Sequence, residues 1–185
     1  MAKGFKVVSK SPTAKEDAFD IEAAKQLLKG KSIVFCLPGR GVSYIFLKNF
    51  VSLCFELVQN GANIQIAQDY SSMVNFARCK VLGANVLRGP DQLPWDGKLN
   101  YDYQLWIDSD IVFSNEAFYR VLAMDKDIAG GWYATEDGRT TSCAHWLEED
   151  DFKENGGVMN HEMVDGIVKR RKPFTVDYSG FGWLR

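Results

Sequence analysis

The stretch YDYQLWIDSDIVF (residues 101–113) decides the fold, because an apolar run in it ends on two acids placed one residue apart. Residues 105–107 predict a buried strand, and Asp108 and Asp110 follow at its end. Alternate residues of an extended chain face the same side, so both carboxylates could reach one cation. Carboxylate oxygens suit Mg²⁺ or Mn²⁺, which commonly share their coordination with substrate phosphates. The stretch predicts a divalent metal bound to a diphosphate; the alternative is a strand end whose acids simply point into water.

Two earlier strands also end on polar residues. The apolar run SIVFCL (32–37) breaks at Pro38-Gly39-Arg40-Gly41, and NIQIA (63–67) ends near Asp69-Tyr70. Strands alternating with helices predict an α/β fold with a mostly parallel sheet. Ligands of such sheets gather at the carboxyl ends of the strands. We therefore expect these two strand ends and the Asp-Ser-Asp segment to form one site.

Helix signals separate the strands. Apolar residues recur at helical spacing over 20–28, Ser43 can cap a helix that runs to residue 60, and Ser114 can cap another. Ser71 or Ser72 is the predicted cap of a helix that ends near residue 82. These helices complete the alternating pattern.

The remaining segments give weaker signals. Residues 1–16 are predicted to be a loose arm, and 84–100 mostly loop. DIAGGWY (127–133) predicts a strand whose paired glycines indicate a close approach of the backbone to another group. The pattern weakens over 135–172, and 173–183 predicts a final strand.

Composition favours one globular domain over residues 1–185. The chain is 46% hydrophobic with a net charge of −2, which argues against nucleic acid as the main ligand. No apolar run approaches the roughly 20 residues of a membrane span, and no signal peptide is recognisable. Four irregularly spaced cysteines predict reduced thiols rather than disulfides or a zinc site, which indicates a cytoplasmic protein.

Two familiar motifs fit only locally. A dinucleotide-binding loop would need a third glycine where this chain has Tyr44, after Gly39 and Gly41. A phosphatase of the haloacid dehalogenase type would use Asp108 and Asp110, but that family normally places its motif on the first strand. Its later acidic pair would have to be Asp150-Asp151.

The whole chain resembles the GT-A nucleotide-sugar glycosyltransferases, in particular small family-2-like enzymes encoded by bacteriophages and some bacteria. The resemblance rests on five ordered segments: LPGRGVSYIFLKNF (37–50), NFARCKVLG (75–83), YDYQLWIDSDIVF (101–113), IAGGWYATEDG (128–138) and VDYSGFGW (176–183). Cys79 departs from the pattern, since such sequences often have Asn there. The family also usually continues beyond its Gly-Phe-Gly-Trp strand into segments with catalytic groups.

The resemblance implies a GT-A (Rossmann-like) α/β/α sandwich and a nucleotide-sugar donor, with UDP favoured. It implies Mn²⁺ or Mg²⁺ held by Asp108 and Asp110, with Asp110 the more direct ligand and Asp108 reaching ribose or metal-bound water. Arg78 is implied to face the diphosphate. The other residues implied to contact the nucleotide are Pro38, Gly39, Arg40, Asp69, Tyr70 and Ser109.

The acceptor side is less defined. Asp177 is the candidate catalytic base, and Glu136 and Asp137 are alternatives. His145 or His161 is a candidate further metal ligand. Four aromatic residues are candidates for an acceptor wall, with core packing as the other explanation: Trp132, Tyr133, Phe181 and Trp183.

The predicted function is metal-dependent transfer of a sugar to an unknown acceptor hydroxyl, in the host cytoplasm if the gene belongs to a phage. The alternatives are a nucleotide-sugar-binding or slowly hydrolysing GT-A remnant, and the phosphatase above. Since the family pattern usually extends beyond the last strand, we expect donor binding with weak or absent transfer.

Overall fold

Two β-sheets organise the part of the chain that the computed structural model describes, residues 19–124, 126–170 and 172–185. The first sheet has the strand order β2-β1-β3-β7 and the second sheet the order β5-β4-β6. The strands are β1 (Ser32–Pro38), β2 (Asn63–Asp69), β3 (Tyr103–Ile107), β4 (Thr140–His145), β5 (Asn160–Met163), β6 (Tyr178–Ser179) and β7 (Trp183–Leu184). The predicted arm, 1–16, lies outside the described residues.

Six α-helices accompany these strands within the described residues. They are α1 (Ile21–Leu27), α2 (Tyr44–Gln59), α3 (Val74–Val81), α4 (Asn115–Leu122), α5 (Glu149–Glu154) and α6 (Val164–Arg170). None of them has the length and apolar character needed to cross a membrane.

The first sheet is mixed and mostly parallel, because β1 pairs in parallel with β2 and β3 while β7 pairs antiparallel with β3. Alternate residues of β1 face opposite sides. Phe35 joins an apolar cluster with α2 and α4, and Val34 joins a second cluster with Val81 of α3. Burial on both faces explains the continuous apolar run of β1 and confirms the predicted α/β class.

The predicted helix caps Ser43 and Ser114 are confirmed, and Asp20 is a further cap that was not predicted. Asp20, Ser43 and Ser114 each accept a hydrogen bond from the backbone N–H three residues later, at 2.9, 3.1 and 3.1 Å. The predicted serine cap of α3, at Ser71 or Ser72, is wrong. The N-cap there is the residue before Val74, and its side chain makes no capping bond.

The predicted strand at 127–133 is wrong, although its glycines do mark a close contact. Over this segment only Gly130 forms a β-bridge, to Leu184. A Cβ atom on Gly131 would lie 2.6 Å from Cε3 of Trp183, so the backbone does approach another group closely. The segment therefore forms a single antiparallel bridge beside β7 and packs on the ring of Trp183, but it is not a strand of its own.

The single strand predicted at 173–183 is also wrong, because two short strands replace it. Tyr178–Ser179 joins the second sheet beside β4, and Trp183–Leu184 joins the first sheet beside β3. The Gly-Phe-Gly segment 180–182 lies between them and links the two sheets.

The second sheet was not predicted. Its central strand, β4, has the sequence TTSCAH, in which Thr141 and Ser142 are buried. The Thr141 hydroxyl donates a hydrogen bond to the carbonyl of Glu162, which lies on β5. A strand buried through small polar side chains lacks the apolar alternation that predicts strands.

The four cysteines are free, as predicted. Burial raises the pKa of the Cys36 thiol to about 12 and that of Cys54 to about 11. These two thiols are therefore poor nucleophiles at neutral pH.

Candidate functional site

The carboxyl ends of β1, β2 and β3 meet at one edge of the first sheet. The Gly39 N–H donates to the Asp69 carbonyl at 3.0 Å. Gly39 has φ +151°, and a Cβ atom on it would lie 3.1 Å from the Ser109 hydroxyl. The three predicted strand ends are thus in contact, and we call them the carboxyl edge (residues 38–40, 69–70 and 108–110).

The β1 and β2 side of this edge combines a cation, a ring and a carboxylate. The guanidinium carbon of Arg40 lies 4.7 Å from the ring centroid of Tyr70, a cation–π distance. The Asp69 carboxylate accepts a bond from the backbone N–H of Tyr70 at 2.6 Å. Gln68, which we did not predict, donates its side-chain amide to the Gly39 carbonyl. The loop at Gly39 is therefore held by the side chain of Gln68, and the ring of Tyr70 by that of Arg40.

Arg78 reaches the edge from α3. Its Nη2 donates to both carboxylate oxygens of Asp108 at 3.1 Å. Its guanidinium lies 4.3 Å from the ring of Phe181 and 5.9 Å from that of Trp106. Its Nε is buried and has no hydrogen-bond partner among the described residues. The side chain is fixed by stacking and an ion pair, and its buried Nε–H makes no hydrogen bond within the described part of the chain.

Asp108 and Asp110 lie in different environments. Burial raises the pKa of Asp108, the charge of Asp110 raises it further, and Arg78 opposes both effects. Asp110 is exposed. The two carboxylates are close enough to repel each other electrostatically. A cation bound between them would relieve this repulsion.

A cleft of about 440 Å³ opens beside this pair. Its lining includes Asp108, Asp110, Tyr133, Thr135 and Glu136. Burial raises the pKa of the Tyr133 phenol, and the nearby carboxylates raise it as well. The acidic cleft, as we call it, thus combines three carboxyl groups with a neutral phenol and a hydroxyl.

Asp137, one of the alternative bases, has a structural role. Its Oδ1 accepts hydrogen bonds from the Thr135 hydroxyl at 2.7 Å and from the N–H groups of Arg139 and Thr140 at 2.8 and 3.0 Å. The two backbone N–H groups hold the pKa of Asp137 well below its usual range. It stabilises the turn before β4 and is a poor proton acceptor.

Asp177 and His145 contact each other on the second sheet. The Nδ1 of His145 lies 3.3 Å from Asp177, and its Nε2 lies 3.2 Å from Glu162. Glu162 also accepts a bond from Arg170 at 2.8 Å, and this bond is the main reason that the pKa of Glu162 is lowered. Asp177 further accepts from the backbone N–H of Trp146. Neither Asp177 nor His145 lines the acidic cleft.

His161, the other predicted metal-ligand candidate, faces the backbone of the second sheet. Its Nδ1 lies 3.0 Å from the Thr141 carbonyl. It does not line the acidic cleft either.

The predicted aromatic wall is not formed as a unit. Trp183 is buried and packs 5.4 Å from Phe113, whereas Phe181 stacks on Arg78. The exposed aromatic pair of this region is Trp146 and Tyr178, with ring centroids 6.4 Å apart. No sequence pattern indicated this pair, because their contact depends on the unpredicted pairing of β4 with β6.

The residues at the acidic cleft fit a divalent metal that takes its other ligands from a substrate. Within residues 19–124, 126–170 and 172–185, no three His, Cys, Asp or Glu side chains are placed to enclose a metal ion. Asp108 and Asp110 supply oxygen ligands, and Mg²⁺ commonly binds through one or two carboxylates plus phosphates and water. The repulsion between the carboxylates of Asp108 and Asp110 is the structural observation that supports this fit.

No family model, curated protein or solved structure matches this chain. Function is therefore inferred from the residues and their geometry.

Proposed function

We propose that this chain is a metal-dependent glycosyltransferase of the GT-A type that binds a nucleoside-diphosphate sugar, with UDP as the favoured nucleotide. The observation that supports this most strongly is the position of Asp108 and Asp110. They follow a buried parallel strand, beside Arg78 and at the mouth of an open cleft. This combination suits a diphosphate bound through a cation.

The donor would occupy the carboxyl edge. The loop at Gly39 and Arg40 and the ring of Tyr70 would contact the nucleoside, and the diphosphate would lie toward Asp110. Arg78 holds the half-buried carboxylate of Asp108 by an ion pair at 3.1 Å, which keeps it oriented toward the cleft. The metal, when bound, would neutralise the charge that develops on the departing nucleoside diphosphate.

Transfer forms a bond between an acceptor hydroxyl oxygen and the anomeric carbon, and the bond from that carbon to the diphosphate breaks. The hydroxyl proton must pass to a base within reach. Glu136 is exposed and lines the acidic cleft, whereas the carboxylate of Asp177 contacts His145 outside it. We therefore assign the base to Glu136 in preference to Asp177.

The phosphatase alternative receives less support. It would need a second acidic pair near Asp108, and the candidates for this pair are Asp150 and Asp151. Both lie in α5 and neither lines the acidic cleft. Binding of a nucleotide-sugar without transfer remains the competing function, and product analysis with the donor distinguishes the two.

Calorimetry with UDP and Mn²⁺ tests the metal site. We expect Asp110→Asn to weaken UDP binding at least tenfold, because the change removes a charged oxygen ligand. Asp91→Asn is the matched control, since Asp91 is an exposed loop aspartate outside the cleft. Equal affinity in the Asp110 variant, or undiminished wild-type affinity in EDTA, would contradict the metal assignment.

Arg78 gives a second test at the same site. We expect Arg78→Ala to weaken binding of UDP much more than binding of uridine, because only the diphosphate can make a charge-assisted contact with the guanidinium. Equal losses for both ligands would mean that Arg78 acts only through its ion pair with Asp108.

A further inference from the structure

Helix α2 exposes an apolar stripe to solvent. Tyr44 is 90% exposed and Phe55 67%, and the stripe consists of Tyr44, Leu47, Val51, Phe55 and Val58, all at least 41% exposed. Their spacing of three, four, four and three residues places them in one line along the helix. The outer face of a helix in a globular domain is ordinarily polar, so this α2 stripe indicates a partner.

The stripe is not the face of α2 that builds the core. Phe46, Phe50, Leu53 and Leu57 already pack on the first sheet and are buried. The apolar surface also continues beyond the helix. Ile66 of the edge strand β2 pairs in register with Phe35, so it lies on the sheet face that α2 covers, and it is 54% exposed.

The α2 stripe is symmetric about Val51, and this symmetry identifies the partner. When two copies of α2 are antiparallel with their Val51 residues opposite each other, Tyr44 meets Val58 of the second copy and Leu47 meets Phe55. A twofold interface requires such a self-complementary surface. We propose that the chain forms a homodimer through antiparallel packing of α2 against α2.

The charges of α2 agree with this arrangement. Its two charged residues are Lys48 and Glu56. Glu56 faces its own chain, where its carboxylate binds Lys25 at 2.9 Å and the side chain of Asn115. The same symmetry places Lys48 opposite Cys54 of the second copy, so no like charges meet. A membrane-binding helix would instead carry several cations beside its apolar face.

The size of the surface is also adequate. The stripe and Ile66 together expose on the order of 700 Å², close to the roughly 800 Å² that each partner buries in a standard interface. Truncation of the central residues should therefore dissociate the dimer without affecting the core. This inference does not depend on the proposed function.

Light scattering of the full chain tests the dimer. We expect about twice the chain mass of 20.9 kDa at about 100 µM protein. Val51→Glu should give a monomer that still unfolds cooperatively, because two carboxylates would then meet at the symmetry axis, and its unfolding temperature should no longer depend on protein concentration. Val168→Glu is the matched control, since Val168 is 56% exposed on α6, and it should remain dimeric. A monomeric wild-type chain would overturn the proposal, whatever else covers the stripe.

Disulfide trapping tests the antiparallel register, in a Cys54→Ser background that removes the native thiol of α2. A mixture of the Leu47→Cys and Phe55→Cys proteins should form a covalent dimer on mild oxidation, in higher yield than either protein alone. The Val51→Cys protein should crosslink by itself. The Val168→Cys protein measures random collision. If the mixture and the Val51→Cys protein gave no more covalent dimer than the Val168→Cys protein, the proposed packing would be overturned.

Discussion

The two sheets of the molecule are stabilised in different ways. In the first sheet, β1 and β3 are buried between apolar clusters, and Phe35 lies 5.1 Å from Phe50 and 5.9 Å from Phe118. In the second sheet, ionic and hydrogen-bonded contacts are prominent, such as those that join His145, Glu162 and Arg170. The apolar sheet fixes the position of Asp108 and Asp110, and the opposite wall of the cleft is the segment 133–136, which precedes β4 of the polar sheet. The two should respond to different perturbations.

The largest difference between the two regions is expected in the free energy of unfolding, when an aromatic ring is removed from each. Phe35→Ala should lower the free energy of unfolding by about 3–5 kcal/mol, because it leaves a cavity between α2 and the sheet. Phe152→Ala, on α5 between β4 and β5 in the chain, should lower it by less than about 1 kcal/mol, since Phe152 is 38% exposed. Urea unfolding of the two variants measures both values. Similar losses would show that the two regions do not differ in this way.

A smaller effect is expected at the junction of the sheets. Gly131→Ala should lower the free energy of unfolding by about 1–3 kcal/mol, because the new methyl group would overlap the buried ring of Trp183. Gly41→Ala is the control, since a Cβ atom there meets no atom within 4 Å, and it should be neutral or slightly stabilising. Thermal unfolding compares the two, and equal unfolding temperatures would contradict the packing described for Trp183.

The smallest effects are expected from two aspartates, and they should have opposite signs. Because the pKa of Asp137 is lowered from its ordinary value of 3.8, the ionised carboxylate stabilises the fold at any pH above 3.8. This stabilisation is lost progressively as the pH falls below 3.8 toward the lowered pKa. The raised pKa of Asp108 means that its ionised form destabilises the fold at neutral pH. That penalty disappears as the pH falls through the raised pKa toward 3.8.

At pH 7, Asp137→Asn should therefore lower the unfolding temperature and Asp108→Asn should raise it. Both differences from wild type should shrink as the pH falls toward 3. Thermal unfolding of the three proteins between pH 7 and pH 3 measures this. Shifts of the same sign at pH 7 would contradict the environments described for these two side chains.

The first sheet was predictable because its signals are local. β1 and β3 are short apolar runs, and Ser43 and Ser114 cap the helices that follow them. Parallel strands then bring their carboxyl ends together, so the proximity of Gly39, Asp69 and Ser109 follows from strand order alone.

The second sheet was not predictable, because its burial depends on partners distant in sequence. Thr141 and Ser142 have no apolar pattern, and their burial follows from pairing with β5 and β6. The contact of Asp177 with His145 follows from the same long-range pairing, whereas Glu136 is placed by the local turn between Ala134 and Thr141. The acidic pair was therefore visible in the sequence. Tyr133 and Glu136 were also candidates, but the sequence did not show that they lie opposite the pair.

One hydrogen bond described by the structure has a consequence for folding during synthesis. The backbone N–H of Asp108 donates to the carbonyl of Gly182 at 2.8 Å, so the loop with the two acids is closed by a much later part of the chain. At roughly 5–20 residues per second, the ribosome supplies that partner several seconds after Asp108 itself. The strands β1, β2 and β3 can already be paired by then, since all of them precede Asp108. The nascent chain should thus acquire its apolar framework first, and the acids should gain their final geometry only in the last step of folding.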